Sequence, residues 1–319
     1  MSDLEIIIEC CKHLGLTKEE ATTVLQIAHS PEERSDLVVW MRENIKASPE
    51  PIYVIIAAGE IQMKHRNKSK SPMFDSIILH IPHASSNFDF AGQDQYVSSW
   101  RKEAEPLIDW YTDELFIPTD CDERIIPVVF DTCRTLVDVE RMCNDPLECR
   151  ELGITAYRLL RGKDGGNVVR IDDEDDIRYM YMKKYLEHQH KLAHLIVDKP
   201  NSLLIDCHSF SSRPTILQPD ASKNEDVEIC IGFNEDSTKP SDDVLTEVTE
   251  HFKERGYKVS LNVPFSNSKT VETPASYTSL MIEVNKSIYM NEDTLERNKY
   301  FNNVRCDITS LYEKLLEDC

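Results

Sequence analysis

The sequence predicts an α/β protein, with a three-layer domain around a largely parallel or mixed sheet and a small all-helical module before it. Two observations lead to this fold class. Short runs rich in Ile, Val and Leu alternate with longer helical patterns after Pro72, as in a sheet covered by helices. Earlier in the chain, apolar residues recur at helical spacing between N-cap signals. We therefore expect a helical module over 1–66, a linker over 67–74 and the α/β domain over 75–319.

The first module is predicted to contain four short helices. Thr17 with Glu20 has the pattern of a capping box, and Ser30 precedes Pro31 and the acidic Glu33 in the same way. The module contains no residue pattern that indicates chemistry, so binding of a protein partner is its possible role. The segment after it is basic and polar without apolar periodicity, which favours an exposed connector.

The α/β domain is predicted from six strands and four helices. The strand candidates are short, apolar and bounded by polar residues. They are 75–81, 125–130, 202–206, 228–232, 257–261 and 279–284. The helical patterns between them cover about 103–116, 174–197, 241–255 and 292–317.

Composition and charge restrict the classes of partner. The chain has 319 residues, of which 40% are hydrophobic, and a net charge of −21, which repels phosphate backbones. We therefore expect no nucleic acid and no membrane, but a small substrate. If that substrate is anionic, local cations must overcome the global charge, and Arg134 and Arg141 are the candidates.

The location is expected to be cytoplasmic. The ten cysteines form no CxxC pair, which favours reduced and mostly buried thiols. The N-terminus lacks a basic segment and a small-residue cleavage site. No apolar run approaches the ~20 residues of a membrane span.

Polar side chains at the ends of three predicted strands indicate chemistry. His83 and His208 directly follow strands, and Glu283 lies near the end of the last one. Ligands bind outside the carboxyl ends of strands in α/β sheets. Two histidines can bind zinc, and a catalytic zinc usually has three protein ligands and one open position. The sequence therefore indicates a zinc site at this edge of the sheet, with the isolated acid Glu283 near it.

A third ligand is needed, and the segment IDWYTDELF contains two candidates. Asp109 and Asp113 are four residues apart, which would place them on one face of a helix. We favour Asp113 as the ligand and expect Asp109 to support a ligand from behind, although the choice stays open. Asp206 lies two residues before His208 and is expected to orient a ligand. His80 is expected to have a structural role.

Seven segments in this order resemble the N-formylglutamate amidohydrolase family, which belongs with zinc-dependent exopeptidases and murein amidases. They are IPHASS, DWYTDELF, CRTLVDVER, LLIDCHSFSS, IGFNED, NVPFS and LMIEVNKSIYMNED, and the resemblance covers about residues 75–315. Each is short, but the ordered combination is specific.

The resemblance implies a carboxypeptidase/phosphorylase-like fold with one Zn²⁺ per chain, bound by His83, Asp113 and His208. It also implies that Glu283 is the general base in hydrolysis of an N-formyl or N-acyl amino acid. Arg134 and Arg141 match the family's R…VDxNR pattern and would bind a substrate carboxylate.

The sequence departs from the family pattern at several positions. Glu140 replaces the usual Asn, which could neutralise Arg141. Ser211 and Ser212 stand where the family has an arginine, and Asn267 and Ser268 replace a Gly-Gly. These changes question N-formylglutamate itself as the substrate.

Other readings of the sequence remain open. The enzyme could be a carboxypeptidase or murein-type amidase with a larger substrate, or the fold could serve a non-catalytic binding protein. A serine hydrolase is unsupported because GxSxG is absent. Cys207 is expected to be a buried thiol. His188, His190 and His194 are expected on a solvated or rim face of their helix.

Overall fold

The computed structural model describes residues 2–44, 50–68, 73–88, 104–120, 122–141, 175–215, 220–221, 224 and 226–316. The chain forms two compact units, one before Phe74 and one over Phe74–Leu316. Part of the expected linker, 69–72, lies outside the described residues, and Lys68 ends a helix.

The first unit consists of helices α1 (Asp3–His13), α2 (Lys18–Ile27), α3 (Pro31–Asn44) and α4 (Pro51–Lys68). The capping box of Thr17 and Glu20 is confirmed at the start of α2. Ser30 and Glu33 exchange the same reciprocal bonds at the start of α3. The helices bury an apolar core that includes Ile7, Val24, Leu37, Met41, Val54 and Ala58. A protein partner for this unit stays a prediction.

The second unit is built on a six-stranded mixed sheet, as predicted. Its strands are β1 (Ser76–Ile81), β2 (Ile125–Val129), β3 (Ser202–Phe210), β4 (Ile229–Gly232), β5 (Val259–Leu261) and β6 (Thr278–Asn285). Their order is β2-β1-β3-β6-β4-β5. All neighbours are parallel except β4 and β6. All six predicted strands are therefore confirmed, with β3 longer than expected.

Three of the four predicted helices of this unit occur close to their predicted positions. They are α6 (Asp175–Asp198), α7 (Asp242–Glu254) and α8 (Phe301–Leu316), following the shorter α5 (Thr112–Phe116). The predicted start of the last helix was too early, because β7 (Met290–Asn291) and β8 (Glu296–Arg297) form a hairpin before it.

The predicted helix over 103–116 is wrong. A 3-10 turn over Glu105–Leu107 and the short α5 replace it. Tyr111 lies between them with a left-handed φ of 66°, a conformation that a continuous right-handed helix cannot contain. This break separates Asp109 from the helix that contains Asp113.

Successive side chains of the central strands point to opposite faces of the sheet. Ile78, Val128 and Leu204 pack against Leu192 and Ile196 of α6. Because side chains alternate, Asp206 and His208 share the face of Leu204. Every residue of β3 is buried, so the polar residues of this strand lie within the core.

No helix in the described ranges is long and apolar enough to cross a bilayer. The six cysteines that fall within those ranges form no disulfide.

Replacement of Leu204 by Ala is expected to reduce the free energy of unfolding of the second unit by about 2–5 kcal/mol, because it leaves a cavity between the sheet and α6. Denaturant unfolding of the full chain measures the loss. Leu186 on α6 is 42% exposed and provides the matched control. Leu186→Ala should change stability by less than about 0.5 kcal/mol. Equal losses in the two variants would contradict the packing described.

Candidate active site

The three polar residues predicted at strand ends lie together at the carboxyl edge of the sheet. His83 follows β1, whereas His208 and Glu283 lie inside β3 and β6 as register partners. Their exposed fractions are only 2%, 6% and 8%. All three line one cavity of about 500 Å³.

The carboxylate of Asp109 lies close to both His83 and His208. His83, Asp109 and His208 offer one ligand atom each, and these atoms all lie within 4.8 Å of one another. Asp109 Oδ2 is 3.2 Å from His208 Nδ1 and 3.7 Å from His83 Nδ1. The backbone N–H of Asp109 donates to the carbonyl of His83 at 3.0 Å, which ties the two segments together.

The expectation that Asp113 lies with the histidines is wrong. Asp113 is in the first turn of α5, where its Oδ1 accepts a hydrogen bond from the N–H of Glu114. The left-handed Tyr111 turns the chain between the two aspartates, so they do not share a helical face. Asp109, which the sequence predicts behind the ligands, is the acid that faces both rings.

Each histidine is held from its far side by a second buried carboxylate. His83 Nε2 is 2.8 Å from Asp138 Oδ1, and His208 Nε2 is 3.0 Å from Asp206 Oδ1. These contacts direct the Nδ1 atoms toward Asp109. His83 Nδ1 is buried and has no hydrogen-bond partner. An imidazole that binds a metal commonly donates its other N–H to a carboxylate in this way.

Asp138 is a residue of the candidate site that the sequence analysis did not select. Burial alone would raise its pKa, but Arg134 and His83 hold the pKa of this carboxyl well below its usual value. It lies in the segment CRTLVDVER, between Arg134 and Arg141. The signal was an acid within an apolar run, LVDV, where an unpaired charge would be costly.

Asp206 connects the site to a second polar cluster, and its role in orienting a ligand stays a prediction. His80 Nδ1 is 2.9 Å from the same oxygen of Asp206 that contacts His208. His80 Nε2 is 2.9 Å from His188 Nε2, and Glu140 Oε1 is 3.1 Å from His80 Nδ1. His80, Glu140 and Asp206 could also hold a cation by their geometry. However, the buried ammonium of Lys269 already lies 3.9 Å from Glu140.

The expectation of a solvated face is wrong for His188 and correct for His190 and His194, which are exposed. His188 falls in the buried stripe of α6, together with Tyr181, Tyr185, Leu192 and Ile196. Burial and the neighbouring His80 lower the pKa of His188 to about 2, so its ring is neutral. Cys207 points away from the site face, and burial raises the pKa of its thiol.

Glu283 is an acid without a hydrogen-bond partner on its Oε2 atom. Burial raises its pKa to about 8; His208 opposes the rise, while Asp109 and Asp206 add to it. The carboxyl is therefore mostly protonated at neutral pH unless a further positive charge is nearby.

Arg134 and Arg141 line the same cavity, as do Glu140 and Lys286. Arg134 Nη2 donates to Asp138 Oδ2 at 3.0 Å, and Arg141 Nε is 3.6 Å from that oxygen. Asp138 thus positions both arginines as well as His83. Lys286, which the sequence analysis did not select, is 4% exposed and donates to the carbonyl of Pro106 at 3.1 Å.

The serines that replace a family arginine bind an acid. Ser211 Oγ donates to Glu292 Oε2, and the N–H and Oγ of Ser212 donate to Glu292 Oε1. Ser211 also lines the main cavity, so this link fixes part of its wall.

Comparison with known proteins gives a family match and similar folds. A sequence profile described as "FGase: N-formylglutamate amidohydrolase" matches residues 75–290. The crystal structure of N-formylglutamate amidohydrolase from Ralstonia eutropha is 17% identical, with a TM-score of 0.56, and the match covers 77% of this chain and 93% of that one. A gene product of Agrobacterium tumefaciens is 15% identical with a TM-score of 0.52, covering 79% and 94%. No curated protein matches by sequence. At these identities, the two structures show similarity of fold alone.

Substitution of Asp138 by Asn is expected to weaken metal binding by about 10- to 100-fold, because His83 loses the charged acceptor that directs Nδ1 into the site. Competition with a chromophoric chelator measures the affinity. Asp131→Asn is the matched control, since Asp131 pairs with Lys184 and its side chain is 74% exposed. A Kd unchanged by Asp138→Asn would contradict the orienting role.

Proposed function

The chain belongs to the N-formylglutamate amidohydrolase family, a family of hydrolases that act on C–N bonds, and we propose that it hydrolyses the amide bond of an N-formyl or N-acyl amino acid with one bound zinc ion. The observation that carries this proposal is the buried group of His83, Asp109 and His208 beside Glu283. We also propose that the α/β domain is of the carboxypeptidase/phosphorylase-like type, which its mixed sheet supports.

The residues present fit a divalent metal ion, and zinc in particular. Two imidazole nitrogens and one carboxylate oxygen form the type of three-ligand set that catalytic zinc uses. The buried Nδ1 of His83 has no other partner, and carboxylates hold the far side of both rings. When bound, the metal supplies a Lewis acid that polarises an amide carbonyl and a positive charge that favours the ionised forms of nearby water and carboxyl groups.

Glu283 is the proposed general base. Its side chain lines the cavity beside His208 and is not committed to a hydrogen bond through Oε2. It accepts a proton from the attacking water and transfers it to the leaving nitrogen, so the products are an acid and a free amine. A carboxyl with a raised pKa is suited to both steps, because it holds the proton between them.

Arg134 and Arg141 are the proposed partners of a substrate carboxylate. Arg134 uses one of its guanidinium nitrogens on Asp138, which leaves further N–H donors for a bidentate contact. Burial opposes the charge of Arg134, but Asp138 and Asp109 keep its pKa raised.

No specific observation favours the two alternative functions, a carboxypeptidase or murein-type amidase with a larger substrate and a non-catalytic binding protein. A cavity of about 500 Å³ is in the range of small-molecule sites, which supports a small anionic or N-acylated substrate over a glycan or long peptide. The buried carboxyl of Glu283 lines the cavity with no hydrogen-bond partner on Oε2, so it is free to exchange a proton with a bound substrate, which supports catalysis.

Elemental analysis of the purified protein is expected to show about one zinc per chain, since three ligands complete one site. His208→Ala and Asp109→Asn should lose the metal because each removes a ligand. Asp113→Asn should retain it and is the matched control for the third ligand. Loss of zinc in Asp113→Asn but not in Asp109→Asn would reverse that assignment, and a metal-free wild type after zinc addition would refute the mechanism.

Replacement of Glu283 by Gln should lower kcat by about 10²- to 10⁴-fold without loss of zinc, because the amide cannot accept the proton of water. Hydrolysis of N-formyl and N-acyl amino acids by the zinc-loaded protein provides the assay. Glu296→Gln, at an exposed residue of the β7–β8 hairpin, is the control and should leave kcat unchanged. Full activity in Glu283→Gln would exclude its role as base.

A further inference from the structure

Lys286 is a buried cation in the wall of the candidate active site. It directly follows β6 and begins a 3-10 turn over Lys286–Ile288. Its side chain lines the 500 Å³ cavity and also an adjoining cavity of about 320 Å³. The residue is only 4% exposed, so its ammonium group is mostly removed from solvent.

Within the described residues, acids such as Asp109 and Glu292 act on the ammonium of Lys286 only from beyond ion-pair distance. Its one hydrogen bond goes to the neutral carbonyl of Pro106. Across the described ranges, no carboxylate oxygen lies within ion-pair distance of its Nζ, whereas Arg134 has a direct contact with Asp138. An ammonium has three N–H donors, so two of those on Lys286 have no partner there.

A second buried lysine, Lys269, differs from Lys286 because it has an acidic neighbour. Lys269 is 3% exposed and donates to the carbonyl of Val139 at 2.8 Å. It also lies 3.9 Å from Glu140 and does not line the cavity. Lys269 therefore has an acidic neighbour in the folded chain, while Lys286 faces an open space that a ligand can fill.

A buried charge with one neutral partner is costly, and the cost falls when an anion binds beside it. We propose that Lys286 is a specificity-determining residue that binds a carboxylate of the substrate inside this cavity. The assignment rests on the proposed function only for the choice of substrate, an N-acyl amino acid. The carboxylates that line the cavity, Asp109, Glu140 and Glu283, leave Lys286 without a direct ion pair, so the ligand supplies it.

The test compares ligands that differ by one carboxylate. N-acetyl-L-glutamate, N-acetyl-L-glutamine and N-acetyl-L-isoglutamine are titrated into the full-length protein by calorimetry, with and without added zinc. Kinetics with the N-formyl counterparts gives KM and kcat separately. The wild type is expected to prefer the diacid over at least one of the two amides, and that amide identifies the carboxylate that Lys286 binds.

Lys286→Met is expected to raise Kd and KM for the diacid by about 10- to 100-fold, the range of a hydrogen bond to a charged group. The same variant should leave the affinity for the identified amide nearly unchanged, so the preference disappears. Lys286→Arg keeps the positive charge and should retain part of the preference for the diacid. Lys253→Met, at a residue of α7 that pairs with Glu250, is the control and should behave as the wild type.

Equal weakening of all three ligands by Lys286→Met, or no effect on any, overturns the assignment. So does a wild type that binds none of the three. Zinc content and the thermal midpoint of each variant separate a folding defect from a lost contact. If the wild type binds no zinc and hydrolyses nothing but still prefers the diacid through Lys286, the proposed function fails and the binding assignment stands.

Discussion

Pairs of buried carboxylates and imidazoles determine the geometry of the candidate site. Asp138 and Asp206 hold the outer nitrogens of His83 and His208, and Asp109 faces the inner ones. Each ring can turn about its own bonds, but a buried N–H without an acceptor is costly. The outer acids therefore fix which nitrogen of each ring points inward. That choice creates a three-atom ligand set from residues on three separate segments.

These buried acids need charged or hydrogen-bonding partners, and the surrounding elements provide them. Asp138 is close to both Arg134 and Arg141, while Asp206 lies between His80 and His208. In a chain with a net charge of −21, such local compensation keeps Asp109, Asp138 and Asp206 ionised around the two histidines. The same contacts position the arginines at the cavity. Asp138 therefore both supports His83 and positions Arg134 and Arg141 at the cavity.

The sequence alone predicted the strands and helices whose apolar residues recur with a regular period. The six strands and the helices α6 and α7 follow from apolar runs and helical spacing, and their alternation along the chain predicts a layered sheet. The segment around Asp109 could not be predicted in this way. Asp109 and Asp113 have helical spacing, but Tyr111 adopts a left-handed conformation that no local propensity signals for a tyrosine. Tertiary contacts favour this turn: the hydroxyl of Tyr111 donates to the carbonyl of Leu295.

The histidines of α6 illustrate a second limit of sequence reasoning. His190 and His194 are four residues apart, as in a metal motif on a helix. However, His188 is the histidine of α6 whose ring enters the core. Its partner, His80, lies 108 positions earlier in the chain, and only the packing of α6 on the sheet brings them together. Long-range polar pairs of this kind have no periodic signature.

Glu140 shows how a departure from a family pattern can have a local explanation. Its charge could have cancelled that of Arg141, its direct neighbour in sequence. In the structure, its carboxylate approaches His80 and Lys269, while Arg141 approaches Asp138. The added negative charge thus has a buried lysine of its own, and Lys269 is held on the far side by the carbonyl of Val139. An acid at this position of the wall therefore leaves the contacts of Arg134 and Arg141 with Asp138 in place.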